Sequence, residues 1–136
     1  MGLITNLVYL DSCLVIYLVE ENQAFAPSLE ASISSLSNVN LVVSDLTVME
    51  CLVMPIRNNN QLLIDKFTGW FEQTEVVSLN SKIFNDAAKL RANFSSLKTP
   101  DELHLATAIH HNCDEFLDQR QPFEQGCTGS RQRHHQ

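Results

Sequence analysis

The chain has no surplus of basic residues. Nine Lys and Arg stand against 16 Asp and Glu, for a net charge of −7. Wholesale electrostatic docking on nucleic acid is thereby excluded, and any such contact must come from a local patch or through bound metal ions. No apolar run reaches the ~18 residues of a membrane span. The opening Met1–Leu10 stretch has no basic start and contains Asn6, which argues against a cleaved signal peptide. The cysteines (Cys13, Cys51, Cys113, Cys127) include no close pair, so a disulfide framework is not expected, and three of them read as small core residues. With glycine only at Gly2, Gly69, Gly126 and Gly129 there is no Gly-rich phosphate loop, which disfavours nucleoside-triphosphate binding. No Ser–His–Asp arrangement can be argued. The expectation is a soluble, cytoplasmic protein with no membrane association.

What is present fits one domain. A chain of 136 residues, 44% of them apolar, is long enough to bury roughly two-thirds of its unfolded surface. Leu7–Leu10 is a short apolar run that reads as a buried strand ending at Asp11, which with Ser12 is a candidate cap for a helix through Glu21. Pro27 opens a second helix. Leu41–Val43 is a second strand, with Ser44 as cap candidate for a helix from Asp45 to Ile56 on the period Leu46, Met49, Val53, Ile56, broken by Pro55 and Asn58–Asn60. Further helices are expected over Gln61–Phe71 and Ser81–Phe94, and a strand over Glu75–Leu79. Thr99–Pro100–Asp101–Glu102 combines a cap, a first-turn proline and an acid three residues after the cap, for a helix to about His111. Phe116–Leu117 begins a fourth strand. Short apolar strands alternating with helices predict an α/β domain with a short, mostly parallel sheet.

The domain is expected to span residues 1–117. Residues 118–136 contain no Ile, Leu, Val or Met but five Gln, three Arg and two His, a polar composition that predicts a disordered or ill-fitting tail.

Ligands of parallel sheets collect beyond the carboxyl ends of the strands. Asp11 falls there. Glu50 lies on the helical face shared by Leu46, Val53 and Met54, where a carboxylate is costly unless paired or coordinated. Asp101 lies in a first helical turn, where the dipole favours negative charge. Each has an ordinary reading: a cap for Asp11, a partner such as Arg57 or Arg91 for Glu50, dipole compensation for Asp101. Together they form a set of oxygen ligands suited to Mg²⁺ or Mn²⁺. His110, His111, Cys113 and Cys127 match no standard zinc spacing. His104 reads as a partly buried packing residue, and Phe67, Trp70 and Phe71 as core or dimer-interface residues.

Three blocks, "VYLDSCLVIYLVEEN", "SDLTVMECLVMPIRNN" and "AAKLRANFSSLKTPDELHLATAIHHNCDEFL", resemble in order the blocks of PIN-domain ribonucleases, in particular the VapC-type toxins of bacterial toxin–antitoxin pairs, over residues 7–117. The resemblance implies a three-layer α/β/α fold and a metal-dependent endoribonuclease. Asp11, Glu50 and Asp101 would bind Mg²⁺ or Mn²⁺, and Ser12 would help position water or phosphate. It also implies an RNA substrate, a homodimer and inhibition by a cognate antitoxin. Arg57 and Arg91 could contact RNA phosphates or pair with the carboxylates.

After "FL" such proteins usually continue Thr-Asn-Asp, which supplies another acid. Here Asp118, Gln119 and Arg120 stand instead. Asp118 could ligate the metal from a shifted position, whereas Arg120 would bring positive charge to a cation site. Permitted codons for Asp118 to Gln136, read one base later, can encode Thr-Asn-Asp and an apolar ending, so a frameshifted C-terminus is an explicit hypothesis. The alternative to an active nuclease is therefore an impaired relic that binds antitoxin or RNA without cleaving it.

Overall fold

The computed structural model describes residues 5–96 and 99–118. Expectations for the tail from Gln119 onward, Arg120 and Cys127 included, lie outside the described residues, as does the capping role of the Thr99 side chain. Strands β1 (Asn6–Leu10), β2 (Val39–Ser44), β3 (Glu75–Val77) and β4 (Glu115–Leu117) form a parallel sheet in the order β3–β2–β1–β4. The helices are α1 (Ser12–Val19), α2 (Ala26–Ser34), α3 (Asp45–Arg57), α4 (Gln61–Glu72), α5 (Ser81–Asn93) and α6 (Thr99–His110).

The alternation of β1 divides the layers. Val8 and Leu10 pack with Leu14, Val15, Leu29, Cys51, Phe67 and Phe71, which come from α1–α4. Tyr9, between them, faces the other way with Val42, Phe116 and Ala108 of α6. Ile83 and Ala87 of α5 pack against Leu103 and Ala106 of α6 on that same side. The result is the expected three-layer α/β/α domain, with Phe67 and Phe71 in its core and Trp70 packed against it.

Local chemistry sets the ends of the elements. Asp11 caps α1 by accepting from the Leu14 amide at 3.1 Å. Ser44 caps α3 in a reciprocal box with Thr47. Asn59 (φ 53°) and Asn112 (φ 58°) adopt the left-handed conformation just past α3 and α6, a conformation that asparagine tolerates better than most residues.

Some boundaries differ from the sequence reading. Helix α3 runs through Pro55 to Arg57. In the last turn the proline forfeits a single hydrogen bond, and its ring is buried. Strand β3 stops at Val77, not Leu79, because its partner β2 ends at the paired residue Ser44. The helical period of α3 holds, but most of its stripe faces water: Met49, Val53 and Ile56 are exposed by 56%, 42% and 57%. The buried face is Thr47, Cys51 and Pro55, anchored by the Ser44 cap. Among the described residues no helix is long and apolar enough to cross a membrane.

Candidate functional site

The register of β1 against β4 sets Leu10 opposite Leu117. The next residues, Asp11 and Asp118, therefore leave the sheet side by side, and the Asp11 amide donates to the Leu117 carbonyl at 3.1 Å. Asp118 is buried with the domain. Burial pushes the Asp11 carboxyl from 3.8 up to about 6. The charges of Asp118 and Asp101 push the same way, and the Leu14 amide and His104 oppose them. Asp11 is thus both a helix cap and a member of a crowded acidic group.

The neighbouring Cys13 thiol reads the same field. Burial raises it to about 11, and Asp11, Glu50, Asp101 and Asp118 each add to the rise. All four acids singled out from the sequence are thus within electrostatic range of Cys13, which follows Asp11 and Ser12 at the carboxyl end of the sheet. Asp101 reaches it from the first turn of α6, where it is half-buried.

Glu50 comes from α3. Its expected partners are not the ones found: Arg57 contacts the Met54 sulfur at 3.5 Å, and Arg91 lies 3.6 Å from the buried Glu102 carboxylate. Glu50 Oε1 instead meets His104 Nε2 at 2.7 Å. Burial pushes the Glu50 carboxyl up, but the His104 hydrogen bond and charge, with a Ser12 hydrogen bond, outweigh it and the net direction is down. Ser12, directly after Asp11, is accordingly turned toward Glu50.

His104 is not a packing residue at the margin of the core. Its side chain is 4% exposed, and both ring nitrogens are bonded, Nδ1 to the Tyr9 hydroxyl at 2.6 Å and Nε2 to Glu50. Tyr9 in turn meets Ser44 Oγ at 2.9 Å, and Ser44 is tied to Thr47. Burial drives the Tyr9 phenol far upward, so it stays protonated. The sequence reading missed this chain. Its signal was a tyrosine in the middle of an aliphatic strand, whose hydroxyl needs a buried partner.

The donors available to an ion are carboxylate oxygens, a set suited to a hard divalent cation, and a cation would relieve the crowding that raises Asp11. Among the described residues, no three His, Cys, Asp or Glu side chains are gathered closely enough to clamp one. A cavity of about 390 Å³ lies elsewhere, lined by Val39–Leu41, Trp70 and Gln73–Glu75 near the opposite ends of β2 and β3. It does not mark the acidic site.

The fold has solved relatives. The structure is similar to a VapBC2 complex from Rickettsia felis bound to a DNA fragment from its promoter (15% identity, 79% of this chain and 83% of that one, TM-score 0.63). It is similar to the Mycobacterium tuberculosis toxin VapC20, which cleaves the sarcin–ricin loop (10% identity, 80% and 86% covered, TM-score 0.66). VapBC-1 from nontypeable Haemophilus influenzae matches at 21% identity over 79% and 82% of the two chains, with a TM-score of 0.64. Among curated protein sequences none is significantly similar. The family model of the PIN domain matches residues 8–118, from the first core strand to the buried aspartate beside Asp11. With that span matched and the parallel sheet in place, the chain belongs to the PIN domain family.

Proposed function

We propose that the protein is a Mg²⁺- or Mn²⁺-dependent endoribonuclease, the toxin member of a VapC-type toxin–antitoxin pair acting in the cytoplasm. The observation that carries this reading is the register of β1 against β4, which sets Asp11 beside Asp118 at the carboxyl end of the sheet, with Asp101 near enough for its charge to help raise the Asp11 carboxyl. The likeness to a toxin that cleaves an RNA loop supports the substrate class.

In this reading Asp11, Glu50, Asp101 and Asp118 hold the ion. A bound divalent ion supplies Lewis-acid polarisation of the phosphodiester and activation of water. Asp11 is fixed for its part by the Leu14 amide. Glu50 is kept ionised by His104 and Ser12. The Ser12 hydroxyl, within reach of Glu50, is positioned to orient water or a phosphate oxygen. The ion also offsets the repulsion between RNA and a chain of net charge −7.

An antitoxin and a second copy of the chain are the proposed partners. Met49, Val53 and Ile56 on α3 form an exposed apolar stripe with Met54 and Leu62 nearby in sequence, the type of surface that marks a protein interface. The alternative, an impaired relic that binds without cleaving, draws support from Arg120, which stands where the resemblance to VapC-type toxins implies an acid.

The test is RNA cleavage by the full chain with Mn²⁺, with an EDTA control and Glu50→Gln. Metal-dependent cleavage that falls at least about 100-fold in the variant supports the reading. Equal cleavage by the variant refutes the site. Folded parent protein that cuts nothing favours the relic.

A further inference from the structure

The geometry points to His104 as a positioning residue that fixes the Glu50 carboxylate for metal binding, held in turn by the Tyr9 hydroxyl. This inference rests on the metal-site reading above and adds to it the orienting role of His104 and the support of Tyr9.

The argument begins with Glu50. Its backbone belongs to α3, whose stripe on either side, Met49 and Val53, faces water. A long side chain in such a place has several rotamers, and ordering it costs conformational entropy. His104 removes that freedom by holding Oε1 at 2.7 Å. Oε2 is left as the oxygen not engaged by the ring, so the carboxylate presents one face to an ion.

His104 can do this because it does not move. It lies in α6, one turn after Asp101, between the buried residues Leu103 and Ala106. Its ring is tilted against Tyr9, with centroids 5.6 Å apart, and Tyr9 is stacked on Phe116. The bonding pattern also assigns one proton. An ionised Glu50 only accepts, so Nε2 carries a proton. Nδ1 is held at 2.6 Å by the Tyr9 hydroxyl, which also meets Ser44 Oγ. The series links β1, β2, α3 and α6, so the layers that carry Asp11 and Asp101 also fix Glu50. Hydrogen-bonded partners of this kind orient metal ligands in many proteins, and removing one weakens affinity or activity by about 10–100-fold.

The test uses the full chain and three variants. His104→Leu removes both bonds. His104→Gln keeps an N–H that can reach Glu50. Tyr9→Phe frees Nδ1 while leaving Nε2 in place. Mn²⁺ affinity is measured by electron paramagnetic resonance, and urea unfolding checks the fold. The ring tautomer is read in metal-free protein by long-range ¹⁵N–¹H correlation. The expected result is about 10–100-fold weaker Mn²⁺ binding in His104→Leu, recovery of most of it in His104→Gln, and a smaller loss in Tyr9→Phe. The parent spectrum should carry the proton on Nε2. Unchanged affinity in folded His104→Leu, or a glutamine variant no better than the leucine one, overturns the inference. Should His104→Leu fail to fold, Mn²⁺ affinity in Tyr9→Phe and His104→Gln equal to the parent's overturns it, and graded loss sustains it. An Nε2 without a proton overturns it without any metal. A parent that takes up no Mn²⁺ refutes the metal-site reading itself, which separates that failure from one in which the parent binds and His104 is irrelevant.

Discussion

Replacing Asp11 by asparagine should make the metal-free protein more stable at neutral pH while removing its function. The carboxyl is displaced from 3.8 to about 6, chiefly by burial and then by Asp118 and Asp101. The folded state therefore binds the proton more tightly than the unfolded chain does. Between those two values the native protein holds the extra proton, so stability falls as pH rises and is lowest above about 6. The shift corresponds to about 3 kcal/mol at most. Asparagine is isosteric, carries no charge and caps a helix about as well as aspartate, so the Leu14 amide keeps its acceptor. In EDTA at neutral pH, urea unfolding should therefore find Asp11→Asn more stable by about 1–3 kcal/mol, and the difference should vanish toward pH 4 or below. Mn²⁺ should shift the comparison the other way. At a hundred times its dissociation constant it would stabilise the parent by about 2.7 kcal/mol and the variant by much less. A variant less stable than the parent in EDTA at neutral pH would refute the reasoning, as would a difference indifferent to pH.

The remaining predictions probe convergence, assembly and the altered ending. Cys13, raised from 9.0 to about 11 by burial and four acids, should alkylate about 100-fold more slowly than an unshifted thiol near pH 8. Mn²⁺ should speed that reaction by neutralising the acids. Mass spectrometry of the modified full chain checks both points, and a rate that ignores Mn²⁺ would count against convergence. Val53→Glu on the exposed stripe of α3 should change stability by no more than about 0.5 kcal/mol yet shift the mass measured by light scattering toward monomer. An unchanged mass would remove that stripe from the dimer. Arg120→Asp should tighten Mn²⁺ binding several-fold by exchanging a positive charge for a carboxylate two residues after Asp118 in sequence. An unchanged titration would place the C-terminal segment away from the acids.

The layers were legible because strand burial leaves a strong signature: Leu7–Leu10, Leu41–Val43 and Phe116–Leu117 are short apolar runs, and they are strands. The caps were legible for the same local reason, since Asp11 and Ser44 each bond an amide three residues on. What sequence spacing does not encode is which face of a helix the tertiary fold selects. On α3 the apolar stripe of Met49, Val53 and Ile56 looked like the buried side and is the exposed one, because the Ser44–Thr47 box and Cys51 fix the rotation of the helix.

That rotation also decides the partner of Glu50. Arg57 and Arg91 were the plausible candidates by charge, but Arg57 lies on the exposed last turn and Arg91 pairs with Glu102 on the far layer. The partner chosen is His104, 54 positions away in sequence and in a different layer. Long-range polar pairs of this kind leave no periodic trace, since each member is locally compatible with several environments. Their trace is compositional: Tyr9 in an aliphatic strand, His104 among leucine and alanine, and Ser44 at a strand end each place a hydrogen-bonding group where an unpaired one would cost about 1–3 kcal/mol. Three such residues in three elements that the sheet brings together imply that they pair with one another. The carboxylate at the end of that series is the one with most freedom to lose, which is why a buried polar chain ends on Glu50 and not on Asp11, already fixed by its own helix.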